Sequence, residues 1–260
     1  MRRKLARLLG LLAVFAVAGG VAGSAVAFGG LGQAAQRSGL AAAQENRAAR
    51  ERGERGGHGG WPSRIGHTGS YPRPLLAVIG ASFSAGVGAG RPGLAWPADL
   101  ARIEHWRLAV SADPGAGYVN PGEGHRGPFY RLAARLDLAR IHPQTIIIQG
   151  GHDDIGRPLP LIRQRVESLI ATIRREAPSA RLAVLTVFPR GDHPAPDVWA
   201  TDQAIVSAAR HADPRILVFD PLAGHWHYSR IRDHLHPTAA GDLWIARRLA
   251  AGLRAHQVAA

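Results

Sequence analysis

The chain has 260 residues, with 32 Lys+Arg against 19 Asp+Glu, 13 His and no cysteine. Its 46% hydrophobic content suits one packed domain with a tail and excludes a wholly disordered chain. The lack of cysteine excludes disulfides, thiolate metal sites, a cysteine nucleophile and a cysteine-linked lipid anchor.

The formal net charge of +13 invites a nucleic-acid reading, but its distribution does not sustain one. Residues 1–7 carry +4 through Arg2, Arg3, Lys4 and Arg7, and residues 37–64 carry +3. The remaining +6 is spread over residues 65–260, with 22 Arg and 16 acids. Lys4 is the only lysine, and no basic stripe with interleaved aromatics occurs. Charge alone gives only non-specific attraction, so no nucleic-acid partner is expected.

In chain order, residues 1–27 come first. A basic start, an apolar run from Leu8 to about Phe28 and a close on Ala25-Val26-Ala27 are the parts of a secretory signal peptide. The run is also long enough for an uncleaved membrane anchor, although its glycines weaken that alternative. Residues 28–70 are rich in Gly, Ala, Gln, Arg and Glu, and read as a flexible linker. The expectation is a secreted or cell-envelope protein whose folded part spans residues 71–260, acts as a monomer and associates with membrane or cell wall only through its N-terminus.

From Tyr71 the texture changes. Short uncharged apolar runs at residues 75–79, 145–148, 182–187 and 216–219 suit strands buried on both faces, as in a parallel sheet. Helical spacing lies between them, at residues 96–103, 128–139, 159–176, 197–211 and 238–255. In the longest helix, Leu161, Ile162, Val166, Leu169, Ile170 and Ile173 trace one apolar stripe, while Arg174 and Arg175 read as a solvated face. The alternation predicts βαβ units in a doubly wound sheet, whose sites form at the carboxyl ends of strands. Small and polar residues gather at four such places: 80–86, 111–118, 150–155 and the loop before the last helix.

At the first place, Ile79-Gly80-Ala81-Ser82-Phe83-Ser84 puts a serine in a tight turn after a strand, beside backbone N–H groups suited to an oxyanion. Taken alone, a helix cap is the commoner role for Ser82 or Ser84. At the last, Asp233-His234-Leu235-His236-Pro237-Thr238 supplies an imidazole and a carboxylate three residues apart. Serine chemistry needs both: a base for the hydroxyl proton and an acid to fix the base's tautomer. Taken alone, this too is an ordinary polar loop.

Together the blocks resemble the GDSL/SGNH hydrolase superfamily, over about residues 74–252. The resemblance implies an α/β fold, a three-layer α/β/α (flavodoxin-like) arrangement around a central, mainly parallel sheet, in residues 71–260. It implies Ser82 as nucleophile, Asp233 and His236 as acid and base, and an oxyanion hole formed by the Ser82 N–H, a glycine after the second strand and a residue of a third block. Gly115 is taken as that glycine, with Gly117 as fallback. The third block, Gly-x-Asn-Asp in the family, is matched by Gly151-His152-Asp153-Asp154 except at the asparagine. Ala81 also departs from the family's usual acid before the nucleophile, at a position with no expected chemical role. An ionised Asp153 accepts hydrogen bonds and repels an oxyanion. Three arrangements are open: Asp153 protonated beside Asp154 and donating, His152 donating instead, or a slow or inactive enzyme.

The function implied is an exported carboxylic ester hydrolase acting through an acyl-serine on lipid, acetylated-sugar or small soluble esters, without cofactor or metal. The alternatives are a catalytically impaired envelope binding protein on the same fold, and a metal-dependent hydrolase using His225, His227, Asp233, His234 and His236. The related α/β-hydrolase pattern requires Gly-x-Ser-x-Gly, and Gly80-Ala81-Ser82-Phe83-Ser84 lacks its last glycine. His225, Trp226 and His227 read as a packed loop, and Trp96, Trp106 and Trp244 as core or helix-packing residues.

Overall fold

The computed structural model describes residues 73–124 and 126–258. The expected signal or anchor (1–27) and linker (28–70) lie outside the described residues. Five parallel strands form one sheet: β1 (Leu75–Gly80), β2 (Arg107–Ala112), β3 (Thr145–Gln149), β4 (Arg181–Leu185) and β5 (Leu217–Phe219), in the order β2-β1-β3-β4-β5. The helices are α1 (Ser82–Ala85), α2 (Trp96–Ile103), α3 (Phe129–Leu136), α4 (Leu138–Ile141), α5 (Leu159–Glu176), α6 (Pro196–Ala212) and α7 (Ala239–Val258). This is the expected three-layer α/β/α fold. Among the described residues, no helix is long and apolar enough to cross a membrane.

The uncharged runs of β1, β3 and β4 follow from burial on both faces. Successive side chains of a strand point to opposite sides. Ala77, Ile79, Ile146, Ile148, Leu182 and Val184 therefore face α3–α6, whereas Leu76, Val78, Ile147, Ala183 and Leu185 face α2 and α7. The stripe of α5 packs as its spacing predicts, with Ile162, Val166, Leu169, Ile170 and Ile173 buried and Leu161 at the margin. Burying each such side chain contributes about 1.5–3 kcal/mol, far more than helix propensity supplies.

Three features depart from the sequence reading. The named runs omit β2, an edge strand with partly exposed side chains whose sequence RLAVSA carries neither an apolar run nor strict alternation. The helix expected over residues 128–139 is two, because Asp137 adopts φ +51° between α3 and α4. Arg174 is not on a solvated face. It pairs with Asp213 and donates through Nη1 to the Ala180 carbonyl at 2.6 Å, which ties the end of α5 to the chain entering β4.

Candidate active site

The site lies at the carboxyl ends of β1, β2 and β3. Leaving β1, the chain turns at Gly80-Ala81 so that Ser82 opens α1. Glycine is required at position 80 because a Cβ there would stand 2.2 Å from Ser84 Oγ. That hydroxyl donates to Gln149 Oε1 at 2.8 Å, and the Ser84 N–H donates to the same oxygen at 3.2 Å. Both residues are buried, where each satisfied bond contributes about 1 kcal/mol and an orphaned partner costs more. The end of β3 thus fixes the turn that carries Ser82. Neither Ser84 nor Gln149 was assigned this role from sequence. The available signal was a polar residue directly closing the apolar run Ile146–Ile148.

The loop before α7 brings His236 to Ser82. The Ser82 hydroxyl donates to His236 Nε2 at 2.8 Å, and His236 Nδ1 donates to Asp233 Oδ2 at 2.5 Å. The carboxylate accepts only, so it fixes the imidazole tautomer with Nε2 free to take a proton. Asp233 Oδ1 accepts the N–H groups of Leu235 and His236, each at 2.9 Å. Burial pushes the Asp233 carboxyl up, but the His236 side chain and these two N–H groups outweigh it and hold it at about 2. His234 adopts φ +59°, a left-handed conformation costing about 1–2 kcal/mol. The kink turns Leu235 into the core at 3% exposure, and the burial offsets that cost. The Tyr228 hydroxyl donates to the Leu235 carbonyl at 2.9 Å, and the ring of Phe83 lies 5.3 Å from that of His236.

Ser82 and His236 open into a cavity of about 230 Å³ that Gly115, Glu123, Asp153 and Arg190 also line. The two glycines considered for the oxyanion differ sharply. The Gly117 N–H is spent on the Asn120 carbonyl at 3.0 Å. A Cβ at Gly117 would also sit 2.4 Å from both Asp154 oxygens, so this glycine serves a close approach. Gly115 lines the cavity, and neither its N–H nor that of Ser82 has an acceptor among the described residues.

The two adjacent acids are used differently. Asp154 is buried and accepts the backbone N–H groups of Tyr118, Val119 and Asn120 at 2.7, 3.0 and 3.1 Å. It therefore anchors the β2–α3 loop. Asp153 faces the cavity, and its carboxyl is pushed up to about 6 by burial first and then by the charge of Asp154. His152 also lines the cavity, with Nδ1 donating to the Phe188 carbonyl at 3.3 Å. Burial lowers its pKa. The neutral ring therefore presents a bare Nε2, which accepts and cannot donate to an oxyanion.

The other sequence candidates lie elsewhere. Trp226 is buried against Phe188 and Trp244, and His225 and His227 are exposed outside the cavity. Trp96 is wholly buried, and Trp106 and Trp244 pack at the edge of the same core. Among the described residues, no three His, Asp or Glu side chains converge as a metal-holding group.

A serine, an imidazole and a carboxylate in one hydrogen-bonded chain at the strand ends, beside unused N–H groups, are the parts that serine-dependent ester hydrolysis requires. Residues 78–243 match the model of the GDSL-like Lipase/Acylhydrolase family, and the chain belongs to that family, whose chemistry is carboxylic ester hydrolysis. Over 156 residues it is 25% identical to the human platelet-activating factor acetylhydrolase IB subunit alpha1, covering 57% of this chain and 67% of that one. Its fold resembles a family two carbohydrate esterase from Clostridium thermocellum, solved in complex with cellohexaose, at TM-score 0.56 and 18% identity. That match covers 72% of this chain and 66% of the other. An acetyl xylan esterase from Butyrivibrio proteoclasticus matches at TM-score 0.55 and 14% identity, over 72% and 65% of the two chains. The chain spans about two thirds of the length of each of these proteins.

Proposed function

We propose that the protein is an exported serine esterase that removes short acyl groups, acetyl above all, from a glycan or lipid alcohol. The observation that carries this reading is the unbroken chain Ser82 Oγ–His236 Nε2 and His236 Nδ1–Asp233 Oδ2, opening into a small cavity. His236 takes the Ser82 proton as Oγ attacks the ester carbonyl, and the oxyanion lies against the N–H groups of Ser82 and Gly115. The imidazolium then protonates the departing alcohol, leaving an acyl-serine. Water, deprotonated by the same imidazole, releases the acid and restores Ser82. Asp233 keeps the tautomer and stabilises the imidazolium throughout. These steps call on no metal or organic cofactor.

Two features support a short acyl group. The cavity holds about 230 Å³, below the usual range for drug-sized ligands. An acetylhydrolase and an acetyl xylan esterase are among its similar proteins. Export rests on the basic, apolar and Ala25-Val26-Ala27 segments of residues 1–27, with residues 28–70 as spacer.

Fluorophosphonate labelling and phenyl acetate hydrolysis test the reading. Wild type is expected to label and to turn over, while Ser82→Ala does neither, with at least about 10⁴-fold loss of rate. Labelling that survives in Ser82→Ala would remove Ser82 as nucleophile. Phenyl acetate is expected to be preferred over long-chain aryl esters, and an exported protein beginning just after Ala27 would establish cleavage.

A further inference from the structure

We propose that Asp153 works as a neutral carboxylic acid, donating the third hydrogen bond to the oxyanion beside the N–H groups of Ser82 and Gly115, and that this confines full activity to mildly acidic solution. The inference rests on the serine-esterase reading of the site and assigns the one cavity group whose charge opposes it.

The positions of the groups force the choice. Asp153 lines the same cavity as Ser82, Gly115 and His236. An ionised carboxylate there would repel the developing alkoxide, whereas a protonated one presents an O–H donor. His152 cannot replace it, because its only proton in the neutral ring is spent on the Phe188 carbonyl.

Geometry also decides which of the two neighbouring acids holds the proton. Both oxygens of Asp154 meet N–H donors, three in all, and these bonds favour its ionised form against the burial that raises its pKa. Among the described residues, Asp153 receives only its own backbone N–H. The proton of the pair belongs on Asp153.

The groups facing Asp153 come from three elements besides its own turn. Asp154 and His152 share that turn, Glu123 comes from the β2–α3 loop, His236 from the loop before α7, and Arg190 from the segment after β4. Burial, Asp154 and Glu123 raise its pKa, His236 lowers it, and the balance stands at about 6. The acid is then about nine-tenths protonated at pH 5 and about one-hundredth at pH 8. Half of the donor is therefore lost by about pH 6 and nearly all of it by pH 8.

The test is the pH profile of kcat/KM for phenyl acetate, from pH 4.5 to 9, for wild type, Asp153→Asn and Asp153→Ala. Wild type is expected to decline above about pH 6, toward a floor about 10²–10³-fold below its maximum. Asn is isosteric and donates at every pH. Asp153→Asn should therefore lack that decline and exceed wild type by about 10²-fold at pH 8. Asp153→Ala should be slow throughout and lack the decline. An Asp153→Asn profile that declines like wild type overturns the proposal. So does an Asp153→Ala enzyme as fast as wild type at pH 5, or a wild type inactive at every pH beside an active Asp153→Asn. Retained activity in Ser82→Ala would instead strike the underlying esterase reading, so the two failures are distinguishable.

Discussion

The two halves of the proposed catalytic chain are built in opposite ways. The nucleophile segment, residues 80–88, is held from a distance: Gln149 reaches from β3 to fix Ser84, and residues 81–84 are all buried. The base segment, residues 229–241, holds itself. Asp233 is bonded to Leu235 and His236 within its own turn, and its side chain remains 35% exposed. The nucleophile must sit at one point relative to the sheet, and only non-local contacts provide that. The base and its acid need mainly to be correct relative to each other, and a short loop suffices for that.

Asp233→Asn breaks the self-contained half and should have the largest effect of the variants considered next. Oδ1 would still accept the Leu235 and His236 N–H groups, so the loop should keep its shape. The new amide would donate toward Nδ1 and move the imidazole proton to Nε2, where it faces Ser82 and cannot act as base. A fall in kcat of about 10³–10⁴-fold, with an unchanged melting temperature, is expected. A fall below tenfold would mean that the local pair does not set the tautomer.

Gly88→Ala strikes the seam between the halves. Gly88 has φ +91°, and a Cβ there would lie 2.2 Å from the Pro237 carbonyl oxygen and 3.2 Å from His236 Cβ. Both contacts belong to the base segment, and the first is backbone, which cannot rotate away. The variant should push His236 from Ser82 and lower kcat by about 10²-fold, the cost of roughly 1 Å of misplacement, with a smaller change in KM. Unchanged fluorophosphonate labelling of Gly88→Ala would show that the halves are less tightly coupled than this contact implies.

The same contrast explains what could be read from the sequence. Asp233 and His236 were legible because their relation is three residues long. Ser82 was legible because a serine between small residues after an apolar run is a local pattern. The strands β1, β3 and β4 announced themselves by burial on both faces. The edge strand β2 did not, since its side chains are only partly covered. Gln149 and Gly88 act through partners 65 and about 150 residues away, and nothing in their neighbourhoods marks that. Gly115 is preferred to Gly117 already in the sequence, but that the Gly117 N–H is spent on Asn120 shows only in the fold.

The smallest effect on turnover is expected at Asp242, which joins the base half to the helix following the nucleophile half. From the first turn of α7, its Oδ1 accepts the Trp96 N–H at 2.9 Å, and its other oxygen is buried without a partner. Burial above all, and then the charge of Asp99, push this carboxyl up to about 8, against the pull of the Trp96 N–H. The folded value lies above the ordinary carboxylate value near 4, so folding favours the protonated form. The stability this contributes is complete below pH 4 and is lost as pH rises toward 8, by at most about 1.4 kcal/mol per unit. Asp242→Asn keeps the accepting oxygen and has no charge to bury. Its kcat should stay within about twofold of wild type, since a neutral carboxyl and an amide hold Trp96 alike. Its melting temperature should match wild type below about pH 4 and exceed it increasingly toward pH 8. Parallel melting curves across that range would mean that the link between the halves is already ionised, and that the Trp96 N–H compensates the buried charge.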